Sequence, residues 1–362
     1  MTRVLASAVA ILVIGSLALG GCAPEAVPTA PTTPTATIVP TAAEQEPIDW
    51  KLHIGFPLGT LQYGYLCEML AARASEATEG MFKIETFPAG TVVSSPELAN
   101  AARTGVMDMV CTYGAYHPGV NKIFDVVNSQ LWPTKQSSDV FRLRGGEELN
   151  REIWAKHLDV YMVGDVAHPT PLLEGVFSKK PVYGPEDLKG LRIRAYSIPA
   201  KVYAEYGAVI TQIPAEEFVS GLERGIIDAG DAGGLKEAYQ EGLHEIVDYV
   251  FMGAEGTTKI YYGYYLANEE AWAQLPDGYK AILKMAVNEI DKKMSVSMIQ
   301  EDLEGIKLFQ DAGVEVIRWS AEDCAAWSDR EWALTDAVVT EPGSVEEEYM
   351  QLIRETRQLL FG

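Results

Sequence analysis

The sequence predicts an α/β protein with two lobes, and three observations support this fold class. Alternating strand and helix patterns occur twice in succession along the chain. One helical pattern then continues for about ten turns, which is long enough to reach beyond a single lobe. About 315 residues follow an N-terminal linker, enough for two domains with cores of their own.

The N-terminal segment has the pattern of a signal peptide. Arg3 supplies a positive charge, and residues 4–19 are almost free of polar side chains. Two glycines then precede Cys22, an arrangement that resembles the bacterial lipobox, in which the thiol is acylated after cleavage. We therefore predict a lipoprotein signal peptide over residues 1–21 and lipidation of Cys22. An uncleaved transmembrane anchor is the alternative, although the apolar run is marginal in length for one.

Residues 22–48 form a linker rich in Pro, Thr and Ala. It has too few large apolar side chains to offset the entropy lost on ordering, so we expect it to be disordered and extended. The sequence therefore predicts an exported protein whose folded body is lipid-anchored. It would be held at the outer face of the cell membrane or in a periplasm.

The formal charge of -22 argues against nucleic acid as a partner, since no basic stripe is present. Any anionic ligand must therefore be held by a local, well-placed cation. Besides Cys22 there are three cysteines, Cys67, Cys111 and Cys324, and their spacing fits no zinc site. We expect buried free thiols, with one disulfide plus a free thiol as the alternative.

The first strand–helix unit lies between residues 50 and 112. Its strands alternate apolar and polar side chains or are continuously apolar, and its helices carry apolar side chains on one face. The predicted elements are a strand at 50–56, a helix at 61–78, a strand at 81–87, a helix at 96–104 and a strand at 107–112. This βαβαβ order implies a mostly parallel sheet with helices on both faces.

The same pattern recurs after residue 160 and predicts the second lobe, without a direct sequence repeat. The predicted elements are strands at 160–166, 191–195, 209–212 and 226–229, a helical turn at 185–189, and helices at 199–206 and 215–224.

A single helical pattern covers about residues 276–312, far more than the usual globular helix of roughly 11–12 residues. After its first turn, no Pro or Gly interrupts it before Gly305. Some 35 residues span roughly 50 Å, so this helix could brace both lobes. Ser344 and Glu347 predict a capping box that opens a last helix at 345–360.

The motifs of common enzymes are missing from the sequence. The five histidines form no HExxH pair, and there is no GxSxG elbow or GxxxxGK[ST] loop. Acidic residues are abundant, so a carboxylate pair for glycoside hydrolysis stays open on residue type alone. The sequence favours a binding protein over an enzyme and predicts no cofactor.

Several motifs, in order, resemble the substrate-binding proteins of tripartite ATP-independent periplasmic (TRAP) transporters. They lie at 81–90, at 207–229 and at 268–276, and the most specific is the run PEDLKGLRIR at 185–194. The resemblance covers about residues 50–360.

The resemblance implies a periplasmic-binding-protein-like fold. Each lobe would be a mixed, mostly parallel sheet flanked by helices, with a long helix spanning both lobes. Lobe I would comprise residues 49–170 plus about 258–298, and lobe II residues 171–257 plus about 299–362. Such proteins capture a small organic acid in the cleft, close by hinge bending, and deliver the ligand to a membrane permease. A receptor that serves a sensor, or a surface enzyme on the same scaffold, is the alternative.

Arg194 matches the family arginine that grips the ligand carboxylate. A planar guanidinium offers two parallel donors to the two carboxylate oxygens. Arg194 also ends a strand, where open α/β sheets place their ligand crevices. The alternative is a surface position on an edge strand, since alternation places Arg192 and Arg194 on the same face.

Asp231 is a second candidate, because it follows the strand predicted at 226–229. In the branch that binds keto acids and lactate, an acidic residue here precedes Trp and holds a metal ion. This chain has Ala232 instead, and 172–177 lacks that branch's Gln and Trp. We therefore expect no metal, with Asp231 accepting a ligand amine or hydroxyl or capping a loop. Ala232 also replaces the asparagine of other members, so a monocarboxylate is favoured over a dicarboxylate.

Four further residues are candidates for the ligand pocket. Tyr113 and Tyr116 follow the strand predicted at 107–112, where aromatic rings would wall a pocket. Trp132 is similar, and His168 lies near the first crossing between lobes. Packing within a lobe is the alternative for the two tyrosines and Trp132, and a place in the hinge is the alternative for His168. The run YYGYY at 261–265 indicates sheet core, with one ring facing the cleft.

Overall fold

The computed structural model describes residues 46–171, 173, 175–231, 233–338 and 340–361. The predicted signal peptide, Cys22 and nearly all of the linker lie outside these residues. Within them, no helix is both long enough and apolar enough to cross a membrane.

The strands form two mixed sheets, one in each lobe. The first has the order β2-β1-β3-β11-β4, with β5 also paired to β11, and the second has the order β12-β10-β6-β9-β7-β8. The strands are β1 (Ile48–Ile54), β2 (Phe82–Phe87), β3 (Met109–Tyr113), β4 (Ser129–Gln130), β5 (Val160–Pro171), β6 (Val176–Ser178), β7 (Arg192–Arg194), β8 (Val209–Thr211), β9 (Ala229–Gly230), β10 (Tyr249–Met252), β11 (Thr258–Asn268) and β12 (Glu315–Arg318).

Helices cover both faces of each sheet. They are α1 (Leu61–Tyr63), α2 (Leu70–Ala77), α3 (Leu98–Arg103), α4 (Ile123–Asn128), α5 (Lys135–Phe141), α6 (Glu147–Leu158), α7 (Ser197–Glu205), α8 (Phe218–Glu223), α9 (Leu235–Gln240), α10 (Glu269–Gln274), α11 (Asp277–Asp311), α12 (Ala321–Asp336) and α13 (Val345–Phe361). One π-helical segment, Gly64–Met69, joins α1 to α2, and another, Arg142–Gly146, joins α5 to α6.

Strand direction follows from how the chain reaches each strand. The helical crossovers place β1 parallel to β2 and β3, and β7 parallel to β8 and β9. The strands that carry the chain between lobes run antiparallel to their neighbours: β11 to β3, β4 and β5, and β6 to β9 and β10. The sheets are therefore mixed.

Two chain crossings lie side by side and form the connection between the lobes. β5 leads into the second lobe, β11 leads back, and the two pair from Thr258 opposite Pro171 to Asn268 opposite Val160. Paired strands of this kind can bend together while each lobe stays rigid.

The long helix α11 braces both lobes, as its periodicity predicted. Ile290 and Met294 are buried in an apolar cluster of the first lobe, and Phe309 is buried in a cluster of the second. Gly305 allows the close approach of α9, because a Cβ atom there would lie 2.6 Å from the Leu235 carbonyl carbon.

The C-terminal helix departs from the predicted domain assignment. The end of α11, β12 and most of α12 pack in the second lobe as expected, but α13 packs against α5 and α6 of the first lobe. Its buried side chains Tyr349, Met350 and Ile353 belong to the core there. The capping box forms in part, since the Glu347 amide donates to Ser344 Oγ at 3.2 Å.

The three cysteines of the folded body are buried free thiols, as predicted. Burial raises the pKa of Cys67 and of Cys111 above the ordinary thiol value, so both are unreactive at neutral pH.

Candidate functional site

A cavity of about 150 Å³ lies between the lobes. Residues of β3, β5 and α1 line it from the first lobe, and residues of β7, α7 and α12 line it from the second. Five of the six predicted ligand-binding residues line it, namely Arg194, Asp231, Tyr113, Tyr116 and His168.

Arg194 ends β7 and is only 6% exposed. Its Nε donates to the Ile213 carbonyl at 3.1 Å, and its Nη1 donates to the Asp231 carbonyl at 2.8 Å. The guanidinium also lies over the rings of Tyr196 and Phe218, 5.1 and 5.8 Å from their centroids. These contacts fix the guanidinium before any ligand arrives, which reduces the entropy cost of binding.

Gly230 explains how Arg194 fits beside its neighbouring strand. The two residues are partners in the parallel pairing of β7 with β9. A Cβ atom at Gly230 would lie 2.9 Å from Arg194 Cβ and 2.8 Å from the Phe218 ring. The missing side chain therefore makes room for the arginine stem and its aromatic neighbour.

The neighbouring Arg192 lies at the protein surface, which was the alternative position predicted for Arg194. Its side chain is 43% exposed and pairs with Asp228, Nη2 to Oδ1 at 2.7 Å. This pairing, through a hydrogen bond first of all, lowers the pKa of Asp228 to about 2. Only the second arginine of the run reaches the cavity.

Asp231 lies beside the guanidinium, with its Oδ1 3.3 Å from Arg194 Nη1. Its side chain is about one-third exposed, so the ion pair is partly screened. Within the described residues, no group of three or more His, Cys, Asp or Glu side chains could hold a metal ion. The contact with Arg194 suits Asp231 to orienting the guanidinium.

Two tyrosines flank the arginine. Tyr116 meets Tyr196 edge to face at 5.2 Å, and the Tyr196 hydroxyl donates to the Ile213 carbonyl at 2.7 Å. Burial raises the pKa of Tyr116, and it raises the pKa of Tyr196 to about 12. Both hydroxyls therefore stay neutral donors at physiological pH. Tyr196 was not among the residues predicted from the sequence, although it lies only two residues beyond the predicted arginine.

His168 and Tyr113 form part of the wall contributed by the first lobe. Their rings lie 5.9 Å apart, and the ring of Tyr261 stacks on His168 at 6.4 Å. Burial lowers the pKa of His168 to about 4, although the nearby Asp291 carboxylate acts in the opposite direction. His168 is therefore neutral at pH 7. Tyr261 is the ring of the aromatic run that lines the cavity.

Trp132 is the predicted site residue that the structure places elsewhere. It is buried in the first-lobe core, with its ring 5.6 Å from that of Phe141. Its indole nitrogen donates to the Gln130 side chain. A tryptophan near a strand end can turn inward or toward the cleft, and the sequence pattern does not distinguish the two. Trp132 does not line the cavity.

An ion pair at the cavity wall was not predicted from the sequence. Glu331 of α12 lines the cavity and binds Lys259 of β11, with Nζ 2.8 Å from Oε1 and 2.9 Å from Oε2. Trp327 Nε1 donates to the same Oε1 at 2.9 Å. A lysine within an apolar strand was the available signal, but its partner is 72 residues away in sequence.

Polar contacts join the two lobes outside the cavity. Glu216, just before α8, accepts hydrogen bonds from the Ser95 amide at 3.2 Å and from Ser95 Oγ at 2.7 Å. Lys201 of α7 pairs with Asp125 of α4 at 2.5 Å. These contacts join the two lobes at positions that do not line the cavity.

Two lobes, paired crossing strands and a cavity with a buried arginine define a two-lobe ligand receptor. Residues 53–341 match the model of the bacterial extracellular solute-binding proteins, family 7. The chain belongs to this family, which includes the solute-binding proteins of TRAP transporters. Its members are transport receptors and not enzymes.

Individual relatives agree with this assignment. The chain is 25% identical over 287 residues to a monocarboxylate 2-oxoacid-binding periplasmic protein of Nostoc sp., covering 76% of this chain and 75% of that protein. A TRAP periplasmic solute-binding protein of Desulfovibrio salexigens with bound orotic acid has a TM-score of 0.75 at 18% identity, covering 86% of this chain and 99% of that one. A similar protein of Rhodoferax ferrireducens with bound malonate has a TM-score of 0.73 at 19% identity, covering 86% and 100%.

Proposed function

We propose that this protein captures a small organic monocarboxylate between its lobes and delivers it to a TRAP-type permease. The observation that carries the proposal is Arg194, a buried cation whose direction is fixed by two backbone carbonyls and two aromatic rings. A carboxylate is the anion that matches a guanidinium with two parallel hydrogen bonds.

The ligands named for the relatives support a carboxylate. A 2-oxoacid, orotic acid and malonate all carry one, and malonate carries two. In this chain, Arg194 is the cationic side chain among the described residues that line the cavity, and His168 is neutral. One fixed cation supports one ligand carboxylate, which favours a monocarboxylate.

The test compares the two arginines of the same strand. We expect Arg194→Met to weaken binding of the best monocarboxylate by about 2–5 kcal/mol, because it removes a buried charge-assisted pair. Arg192→Met should leave binding unchanged, since that side chain pairs with Asp228 at the surface. Isothermal titration after a thermal-shift screen of mono- and dicarboxylates gives both values. Unchanged affinity in Arg194→Met would remove the basis of the proposal.

The predicted lipid on Cys22 fits delivery to a permease, because a tether keeps a receptor concentrated near its membrane partner. Release of a Cys22→Ser variant from the membrane fraction is the expected result. Wild-type protein that is equally soluble would contradict the anchor. Loss of carboxylate uptake on deletion of the receptor gene would distinguish transport from sensing.

A further inference from the structure

The Lys259–Glu331 ion pair is unusual for its burial. Both side chains are only 2% exposed, yet Glu331 lines the ligand cavity. Removing two charges from water is costly, and well-packed apolar side chains in their place are often at least as stable. Stability alone therefore gives no reason for an ion pair at this position.

The two charged networks of the cavity are separate. Arg194 is bonded to Ile213 and Asp231, whereas Glu331 is bonded to Lys259 and Trp327. Lys259 itself does not line the cavity, and its ammonium lies 5.3 Å from the centroid of the Tyr261 ring. A ligand in the cavity therefore meets the carboxylate of this pair rather than its ammonium.

Other polar atoms of the cavity wall point to a ligand with hydroxyl groups. Gln62 Oε1 and Thr112 Oγ1 are buried without a hydrogen-bond partner, and both residues line the cavity. The amide oxygen of Gln62 can only accept a hydrogen bond. The protonated Glu237 carboxyl next to Gln62 can supply one such donor. Thr112 Oγ1 and the Glu331 carboxylate can accept from a ligand hydroxyl, whereas a second ligand carboxylate has no hydrogen to donate.

We propose that Glu331, held by Lys259 and Trp327, binds a hydroxyl group of the ligand and excludes a second carboxylate. The ligand class is then a hydroxylated monocarboxylate, with its carboxylate on Arg194. This inference rests on the proposed function and narrows its substrate. A dicarboxylate would have to place its second charge beside Glu331 or break the Lys259 pair, and either is unfavourable in a buried site.

The test uses acids of matched length with the purified folded protein. The probes are butyrate, 2-, 3- and 4-hydroxybutyrate and succinate, with hexanoate, gluconate and adipate as a longer set. For wild-type protein, we expect at least one hydroxy acid to bind at least about tenfold more tightly than the matched alkanoate and dicarboxylate. Equal affinities, or tightest binding of the dicarboxylate, would overturn the inference.

Two variants test the role of Glu331. Glu331→Gln should shift the ratio of succinate to hydroxybutyrate affinity toward succinate by at least about tenfold, because Lys259 loses its counter-ion. Since that change leaves a buried charge unpaired, the double variant Lys259→Met with Glu331→Gln is measured beside it. The double variant should also lose discrimination against succinate. Asp329→Asn, an exposed change on the same helix, is the control.

The outcomes separate this inference from the proposed function. If folded variants keep the wild-type ratios, the role of Glu331 is wrong, while Arg194 can still bind a carboxylate. If no acid of either set binds and Arg194→Met changes nothing, both proposals fail.

Discussion

Glu237 is a buried carboxyl group that makes the stability of the folded protein depend on pH. It lies on α9, is 7% exposed, and has its Oε2 buried without a hydrogen-bond partner. Burial, with help from the nearby Glu241, raises the pKa of Glu237 to about 8, although hydrogen bonds from Gly234 and from Gln62 of the first lobe oppose this. The folded protein therefore keeps this group protonated at pH 7.

We expect Glu237→Gln to be more stable than wild type at pH 8 but not at pH 4. Between the ordinary pKa of about 4.5 and the raised value near 8, the folded state holds a proton that the unfolded state has lost. Wild-type stability therefore falls as pH rises through this window, by about 1.4 kcal/mol per pKa unit, and the variant lacks this loss.

Urea unfolding at several pH values measures the effect. The exposed Glu245→Gln serves as the control and should follow wild type. A Glu237→Gln difference that does not change with pH would show that the carboxyl group is ionised in the folded protein.

The candidate site was only partly predictable at the level of single residues. Arg194 could be found because strand alternation, a strand end and a family motif coincide at one position. Tyr196 and Glu331 were missed because a side chain's approach to a cavity depends on the packing of distant elements. Trp132 was misplaced for the same reason, since a large ring near a strand end suits both a core and a pocket.

Among the elements, α11 depends on a glycine where it crosses α9. The Leu235 amide donates to Asp302 Oδ1 at 3.1 Å, and this contact brings the start of α9 against the turn that contains Gly305. Added volume at Gly305 would meet backbone rather than a flexible side chain.

We predict that Gly305→Ala destabilises the protein by about 1–3 kcal/mol, because the two helices must move apart. Gly278→Ala is the matched control on the same helix, where an added Cβ atom meets nothing within 4 Å. That change should be neutral or stabilise by about 0.5 kcal/mol, through the lower entropy of the unfolded chain. Equal melting temperatures for the two variants would contradict the close packing of α11 against α9 at Gly305.

Regular elements were more predictable than their docking. The pattern at 276–312 predicted the long helix, which spans Asp277–Asp311 in the structure. This was possible because apolar periodicity and helix ends are local properties of the sequence. The last helix was predicted with its cap, yet it was assigned to the wrong lobe. Its apolar stripe indicates that one face of the helix is covered, but it does not indicate which lobe covers that face.

On the scale of the whole molecule, the contacts between Glu216 and Ser95 bear on closure. They join the lobes outside the cavity, so a variant there changes the energy of closing without touching the cavity wall. The apparent affinity of a receptor is reduced in proportion to the fraction of molecules in the competent state.

Glu216→Ala should therefore weaken all ligands by the same factor, about three- to tenfold, and leave their ranking unchanged. The neighbouring exposed Glu217→Ala is the control. Isothermal titration measures affinity, and small-angle X-ray scattering of the unliganded protein should show a larger radius of gyration for Glu216→Ala. Identical behaviour of the two variants would mean that the contact does not stabilise closure.

The first and last regular elements, β1 and α13, both pack in the first lobe. In the part of the chain that the structure describes, the path changes lobe four times: after β5, before β11, along α11, and between α12 and α13. Because that number is even, β1 and α13 both belong to the first lobe, and the second lobe consists of two segments inserted between them. A pulling force applied through β1 and α13 would load the first lobe directly. A label on α13 would report the position of the first lobe, and hinge bending would then be measured as displacement of the second lobe relative to that label.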